Sequence, residues 1–154
     1  MEEQSMTIKD ALNIAIKEEI KAYNLYMSTS NNVTGAGTKA MLLELAEQEL
    51  GHRKLLENVI QEEKYVSLGD NIPQQSPGIA DFLVASELKE NATPQDVMIF
   101  AMKAEGKAYN FYTDLKTHFA GTELEGVFTR LAAEEKGHKI KLENEYEEHI
   151  LKEN

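Results

Sequence analysis

Apolar side chains recur along most of this chain at the three- and four-residue spacing of an amphipathic α-helix. Two stripes with this spacing consist of Leu12, Ile16, Glu19, Tyr23 and Tyr26, and of Met98, Met102, Glu105, Tyr109 and Tyr112. No segment alternates between polar and apolar residues as a half-buried strand would. The pattern predicts an all-α protein with four long helices, near residues 7–32, 38–64, 93–119 and 122–150.

The second half of the chain repeats the first. Residues 7–64 align with residues 93–150 through a single shift of 86 positions without a gap, and about a third of the paired positions are identical. Both repeats begin with Thr-x-x-Asp, at Thr7 and Thr93, a sequence that caps the N-terminus of a helix. Each repeat therefore predicts one hairpin of two helices.

Residues 65–92 connect the two hairpins and contain glycines, prolines and a short helical piece near Ile79 to Ser86. A connection of this length is unusual unless it must cover a distance. A helix of about 26 residues is roughly 39 Å long, which such a segment can span. We therefore expect a four-helix bundle with one long crossover between helices two and three, formed by residues 1–154 as a single domain.

Three potential metal ligands occur in each repeat, inside the apolar stripes. They are Glu19, Glu49 and His52 in the first repeat, and Glu105, Glu135 and His138 in the second. A carboxylate in a protein core is costly unless it is paired or coordinates a metal. Within each Glu-x-x-His sequence the three-residue spacing places both side chains on one helix face. The six residues together predict a site for two bridged metal ions.

The repetition carries this prediction, because a lone Glu-x-x-His means little in a chain with 27 acidic residues. Carboxylate and imidazole ligands suit iron, with manganese as the alternative. Tyr23 and Tyr109 lie one turn beyond the lone glutamates and are candidates for hydrogen bonding to a ligand carboxylate or for a redox role; core packing is the alternative. Tyr26 and Tyr112 are expected to be packing residues.

Composition removes several classes of function. The net charge of −11 argues against binding to nucleic acid or to an anionic membrane. The sequence contains no cysteine, which excludes a disulfide framework, a thiolate zinc site and an iron–sulfur cluster. No run approaches the roughly 18 apolar residues of a membrane-spanning helix. We therefore expect a cytoplasmic protein.

The ligand set resembles that of the ferritin-like superfamily of di-iron carboxylate proteins. The sequences around the two histidines, Leu45–His52 and Leu131–His138, are especially similar to rubrerythrin-type members. The resemblance implies that Glu49 and Glu135 bridge two iron ions, that Glu19 and Glu105 are terminal ligands, and that His52 and His138 bind one ion each.

The sequence departs from the usual rubrerythrin pattern in two respects. Many members have a further ligand glutamate one turn after the third-helix glutamate, where this chain has Ala108. Many also carry a cysteine-ligated rubredoxin module, and this chain has no cysteine. We therefore expect six protein ligands and a separate electron-donor protein such as a rubredoxin. We also expect a homodimer.

Three functions are open at this point. The first is an oxidoreductase whose di-iron site reacts with peroxide or O₂, as a rubrerythrin-like peroxidase or a ferroxidase. The second is iron binding or storage without significant redox turnover. The third is a structural bundle in which the metal ions only hold the helices together.

Overall fold

The computed structural model describes residues 6–63, 65, 76–84 and 86–150. Its helices are α1 (Ile8–Ser30), α2 (Ala36–Gln61), α3 (Pro77–Phe82), α4 (Pro94–His118) and α5 (Glu123–Glu145), followed by a π-helical turn (Tyr146–Ile150). No β-strand occurs among these residues, and no helix among them is long and apolar enough to cross a membrane. The all-α prediction is confirmed, although α2 ends three residues earlier than predicted.

Both repeats begin with the predicted capping box. The Thr7 hydroxyl accepts a hydrogen bond from the backbone N–H of Asp10 at 3.0 Å, and the Asp10 carboxylate accepts one from the Thr7 N–H at 3.2 Å. Thr93 and Asp96 make the same exchange at 3.1 and 3.0 Å. Since these bonds satisfy backbone donors that have no partner within the helix, they fix the starts of α1 and α4.

Cross-helix contacts give the directions of the helices. The Tyr112 hydroxyl bonds to Glu19 and the Tyr26 hydroxyl bonds to Glu105, so residue numbers rise along α1 as they fall along α4. Contacts from α5 to Glu44 and Gln48 on α2 run in opposite order in the same way. Each helix of one hairpin is thus antiparallel to its counterpart in the other, which makes α2 and α4 parallel. Because α2 and α4 are parallel, the chain must return along the length of the bundle between them, which requires the predicted long crossover.

The described part of the crossover contains α3, close to the predicted helical piece. The Asp114 carboxylate accepts hydrogen bonds from the backbone N–H groups of Gly78 at 2.7 Å and Ile79 at 3.2 Å. The Phe82 ring stacks on Phe111 with 4.1 Å between centroids. These contacts fasten α3 to α4. Gly69 and Pro73, on which part of the loop prediction rests, lie outside the described residues.

Two apolar clusters occupy opposite ends of the bundle. One contains Ile8, Leu12, Leu56, Phe111, Leu115 and Phe128, and the other contains Tyr26, Leu42, Leu45, Met98 and Leu142. The residues between them along each long helix include the six predicted ligands. The bundle therefore holds its buried charged groups in a middle layer, closed above and below by hydrocarbon.

Gly51 and Gly137, next to the two histidines, suggest from sequence a close approach of two helices, and this expectation is wrong. A Cβ atom at either position would have no neighbour within 4 Å. Glycine in a helix interior costs about 1 kcal/mol relative to alanine. We expect Gly51→Ala to raise the free energy of unfolding by about 1 kcal/mol in urea denaturation.

Gly78→Ala is the matched comparison for that substitution. A Cβ atom there would lie 2.5 Å from the backbone oxygen of Asn110, so the chain would have to move. This variant should unfold at lower urea concentration than the parent protein. If the two alanine variants shift stability in the same direction, the interpretation of both glycines fails.

Candidate metal centre

The six predicted ligands come from the middle of the four long helices and are all buried. Between 1% and 3% of the surface of each is exposed. The six residues are Glu19, Glu49, His52, Glu105, Glu135 and His138. Four carboxyl groups and two imidazoles thus share one interior. Charged side chains are almost never buried this completely unless they are paired.

The structure arranges these side chains as two overlapping groups of four. One group consists of Glu19, Glu49, His52 and Glu135, and the other consists of Glu105, Glu135, His138 and Glu49; within each, one ligand atom per residue lies within 4.8 Å of the others. Glu49 and Glu135 belong to both groups. Each group also has one histidine and one carboxylate that the other group lacks. These unshared carboxylates, Glu19 and Glu105, are called the private carboxylates. This is the arrangement that two bridged ions require.

Distances around the two imidazoles follow the two-fold repeat. Nδ1 of His52 lies 2.6 Å from Oε1 of Glu135 and 3.6 Å from Oε2 of Glu19. Nδ1 of His138 lies 2.6 Å from Oε1 of Glu49 and 3.6 Å from Oε1 of Glu105. Each Nδ1 therefore faces the carboxylate layer. The two ring planes stack at 5.6 Å between centroids.

Several ligand atoms at this centre lack the hydrogen bonds that buried polar groups normally make. The unsatisfied atoms are Oε2 of Glu19, Oε2 of Glu105, Oε1 of Glu135 and both ring nitrogens of His52. Nδ1 of His52 is close to Glu135 without hydrogen-bond geometry. Converging lone pairs without donors are what a cation needs, so the residues present fit a pair of divalent or trivalent metal ions.

Electrostatics at the two shared carboxyl groups agree with this fit. Burial, with the neighbouring charge of Glu105, raises the pKa of Glu49 and of Glu135 well above the ordinary value. For Glu105, burial also raises the pKa, but the proximity of Glu135 and His138 outweighs burial and leaves the pKa below its ordinary value. Protons thus hold the cluster together when no cation does, and a cation would have to displace them.

Tyr26 and Tyr112 bond directly to the private carboxylates, a role that sequence reasoning missed. The Tyr26 hydroxyl donates to Oε1 of Glu105 at 2.6 Å, and the Tyr112 hydroxyl donates to Oε1 of Glu19 at 2.8 Å. Burial raises the pKa of both phenols, as do the nearby carboxylates, so both remain protonated donors. Each tyrosine serves the glutamate of the other hairpin. Identity in the repeat could not have separated Tyr26 and Tyr112 from Tyr23 and Tyr109, because all four positions are tyrosine.

Tyr23 and Tyr109, the two candidates that the sequence offered for a role at the centre, make other contacts. Tyr23 is half-buried and packs on one apolar cluster, and Tyr109 packs on the other, with Nζ of Lys136 5.6 Å from its ring centroid. No hydrogen bond from either hydroxyl is found among the described residues. A role for them at the metal centre stays a prediction.

Gln48 and Glu134 face the outer nitrogens of the histidines and were also missed. Oε1 of Gln48 lies 2.5 Å from Nε2 of His138, and Oε2 of Glu134 lies 3.5 Å from Nε2 of His52. These two polar residues occupy equivalent positions in the repeat. A hydrogen-bond partner on the outer nitrogen, which Gln48 provides for His138, fixes the orientation of an imidazole whose other nitrogen binds metal.

The rubrerythrin family model matches residues 10–86, half of the chain. The chain belongs to the rubrerythrin family. The matched half contains Glu19, Glu49 and His52, and the equivalent residues of the second repeat complete the centre. No curated protein sequence gives a significant match.

Solved structures show the same fold. A protein of Thermotoga maritima described as a ferritin-like diiron-carboxylate protein is 22% identical; the match covers 96% of this chain and 99% of that one, with a TM-score of 0.76. A dodecameric thioferritin of Bacteroides fragilis, described as bacterioferritin-related, is 21% identical over 88% of this chain and 82% of that one, with a TM-score of 0.67. The rubrerythrin-family chain thus has the ferritin-like fold of these proteins.

Removing the Tyr112 hydroxyl should weaken the centre. In Tyr112→Phe the Glu19 carboxyl loses its donor inside the core, which typically costs about 1–3 kcal/mol. We expect lower thermal stability of the metal-free protein and an iron affinity lower by about tenfold to a hundredfold, measured by competition with a chelator. Tyr109→Phe, on the same helix, is the control and should change neither quantity. If both variants lost stability and iron affinity equally, the special role of the Tyr112 hydroxyl would be contradicted.

Proposed function

We propose that this rubrerythrin-family protein is a di-iron oxidoreductase that reacts with peroxide or O₂. The observation that carries the proposal is the pair of buried ligand groups that share Glu49 and Glu135. Iron ions held by these groups would supply two electrons and a Lewis acid for cleavage of an O–O bond. The family membership and the ferritin-like fold support iron as the metal, with manganese as the alternative.

The chain's own residues would divide the work. Glu49 and Glu135 would be shared by both metal ions, and Glu19 and Glu105 would bind one ion each. Nδ1 of His52 and Nδ1 of His138 would complete the two ligand groups. Tyr26 and Tyr112 would hold the private carboxylates in position through their hydroxyl groups. The two apolar clusters would exclude water from above and below, which strengthens the electrostatic interactions inside.

The test uses protein loaded anaerobically with Fe(II) and then mixed with hydrogen peroxide or with air. We expect two iron ions per chain, the near-ultraviolet absorption of Fe(III), and consumption of peroxide or O₂ in proportion to the iron oxidised. Protein that binds two ions but oxidises iron no faster than free Fe(II) would contradict the proposal. That result would favour the structural function, in which the metal ions only hold the helices together. Under that function, Glu49→Ala would lower the stability of the protein and have no other effect.

Iron storage is the second candidate, because one solved structure with this fold is dodecameric and bacterioferritin-related. Storage in a cage needs many subunits. Light scattering coupled to size-exclusion chromatography separates the two functions, since a monomer or homodimer has no interior in which to store a mineral. An assembly of twelve or more chains that takes up many iron ions per chain would favour storage.

Four expectations from the sequence stay predictions. They are the single domain over residues 1–154, a homodimer, a separate electron-donor protein such as a rubredoxin, and a cytoplasmic location. Peroxidase turnover requires a donor, so reduction of the oxidised protein by added rubredoxin tests the third of these directly.

A further inference from the structure

A cavity of about 240 Å³ lies between α1 and α4, beside the carboxylate layer. Its inner wall includes Glu19, Glu49, Glu105 and Glu135. Four alanines line the space where larger side chains would fill it: Ala22, Ala101, Ala104 and Ala108. Ala22 and Ala108 are equivalent in the repeat, and each lies three residues after a private glutamate ligand. The small side chains therefore leave room directly against the candidate metal centre.

The crossover covers this cavity on one side. Phe82, Val84 and Ser86 belong to its lining. Nζ of Lys21 donates to the backbone oxygen of Ser86 at 2.6 Å, and Nζ of Lys107 donates to the Ser86 hydroxyl at 2.8 Å. These lysines are repeat equivalents, so one residue of the crossover is held from both hairpins. The cavity consequently has a defined roof and is more than a gap between two helices.

The charge of the lining changes sign from the interior to the mouth. The chain carries a net charge of −11, yet among the described residues the charged side chains that line the cavity outside the carboxylate layer are three lysines and Glu18. The lysines are Lys21, Lys103 and Lys107, of which the first two are exposed and the third is half-buried. An ammonium has three donors and Ser86 accepts one from each of two lysines. The lysines at the mouth thus favour an anion, and the carboxyl groups of the inner wall do not.

The cavity is larger than peroxide or O₂ needs. A cavity of about 150 Å³ with apolar walls accommodates benzene. The lining here is mostly apolar, with Leu25, Phe82 and Phe100 beside the alanines. Space, apolar walls and a cationic mouth together match a molecule with a hydrocarbon body and one anionic end.

We propose that this cavity binds a small organic monocarboxylate, with its carboxylate at Lys21, Lys103 and Lys107 and its hydrocarbon body against the alanines. Scaled from benzene, the body has about six to ten carbon atoms. The opposite orientation would place the carboxylate among the buried carboxyl groups of the inner wall, away from the lysines. The bound hydrocarbon lies beside the metal ligands and is shielded from water by the crossover.

The test is isothermal titration calorimetry of butanoate, hexanoate and octanoate into metal-free protein. Each buried methylene is worth about 0.8 kcal/mol, so affinity should rise about fourfold per methylene along this series. Hexanamide, which lacks the charge, should bind about fivefold more weakly than hexanoate. An affinity that does not depend on chain length would overturn the proposal.

Variants locate the binding site. Ala104→Leu fills the cavity and should weaken octanoate binding by at least about tenfold, whereas Ala133→Leu on the exposed face of α5 should not. Lys107→Met should weaken hexanoate and leave hexanamide unchanged, with the half-buried Lys116→Met on the same helix as its control. Circular dichroism establishes that each variant is folded. If Ala104→Leu does not fold, the Lys107→Met comparison still decides.

Two results would contradict the assignment. Binding that appears only after iron loading and is insensitive to Lys107→Met would place the carboxylate on the metal instead. Binding that survives both the filled cavity and the lost charge would place the ligand elsewhere. Because the titration uses metal-free protein, failure of the redox function leaves its outcome unaffected.

Discussion

Glu135→Gln is expected to abolish the binding of both iron ions, whereas Glu19→Gln should abolish the binding of only one ion. Glu135 belongs to both ligand groups, so its loss removes an anionic ligand from each ion and the bridge between them. Glu19 belongs to one group alone. Loss of residues that merely support ligands costs about tenfold to a hundredfold in metal affinity, so loss of a shared ligand should cost more than a hundredfold.

The measurement is anaerobic titration with Fe(II) and determination of bound iron after gel filtration. We expect two ions per chain for the parent protein, one for Glu19→Gln and Glu105→Gln, and none for Glu49→Gln and Glu135→Gln. Glu57→Gln, which alters an exposed glutamate paired with Arg53 on α2, should retain two. One bound ion in Glu135→Gln and none in Glu19→Gln would reverse the assignment of bridging and terminal ligands.

The second large effect concerns pH and the metal-free protein, which should lose stability between about pH 5 and pH 8. Burial raises the pKa of Glu49 and Glu135 in the folded state, so above the ordinary carboxyl pKa the folded protein binds more protons than the unfolded chain. Their contribution to stability is therefore present at low pH and lost as pH rises. Linkage gives roughly 1 kcal/mol per pH unit for each carboxyl group while this difference lasts.

Other groups at the centre do not cancel this trend. Burial lowers the pKa of His52, but the nearby carboxylate of Glu19 outweighs burial and leaves the pKa raised, so the contribution of His52 to stability is likewise lost as pH rises. The lowered pKa of Glu105 gives stability that is lost only as pH falls below the ordinary carboxyl range. Within the window from pH 5 to pH 8, the net slope should thus be downward.

Thermal unfolding followed by circular dichroism at several pH values checks this. The double variant Glu49→Gln, Glu135→Gln separates the local effect from the repulsion expected at a net charge of −11, because it keeps the surface charge and removes both titrating groups. Its stability should vary less with pH than that of the parent protein. Iron affinity should rise over the same window as the protons become easier to displace. A parent protein whose melting temperature rises from pH 5 to pH 8 would contradict the argument.

Much of the fold could be predicted because the determining signals are local or periodic. Thr7 with Asp10 and Thr93 with Asp96 form capping boxes from residues three apart, so the starts of α1 and α4 could be predicted to within one residue. The ends of α2 and α5 were less accurate, since no strong stop signal follows Gln61 or Glu145. The repeat supplied the pairing of hairpins, and the length of residues 65–92 supplied the crossover.

The sequence also identified the six polar residues that the structure brings together in the middle layer. A carboxylate within an apolar stripe is unfavourable unless it has a partner. Because these carboxylates recur at equivalent positions of the two repeats, a shared metal site could be predicted from them. Tyr26 and Tyr112 escaped this reasoning because a tyrosine in an apolar stripe is equally suited to packing. Which hydroxyl reaches which carboxylate depends on the offset between α1 and α4, and helical periodicity contains no information about that offset.

The sequence by itself determined the helices, their caps, the two-fold repeat and the ligand types, because each follows from the chemistry of residues a few positions apart or from one constant shift. Only the tertiary structure decided that the tyrosines bond across the hairpins and that alanines and the crossover enclose a cavity beside the centre. These features depend on distances between helices far apart in the chain. Such distances are set by the packing of all side chains together.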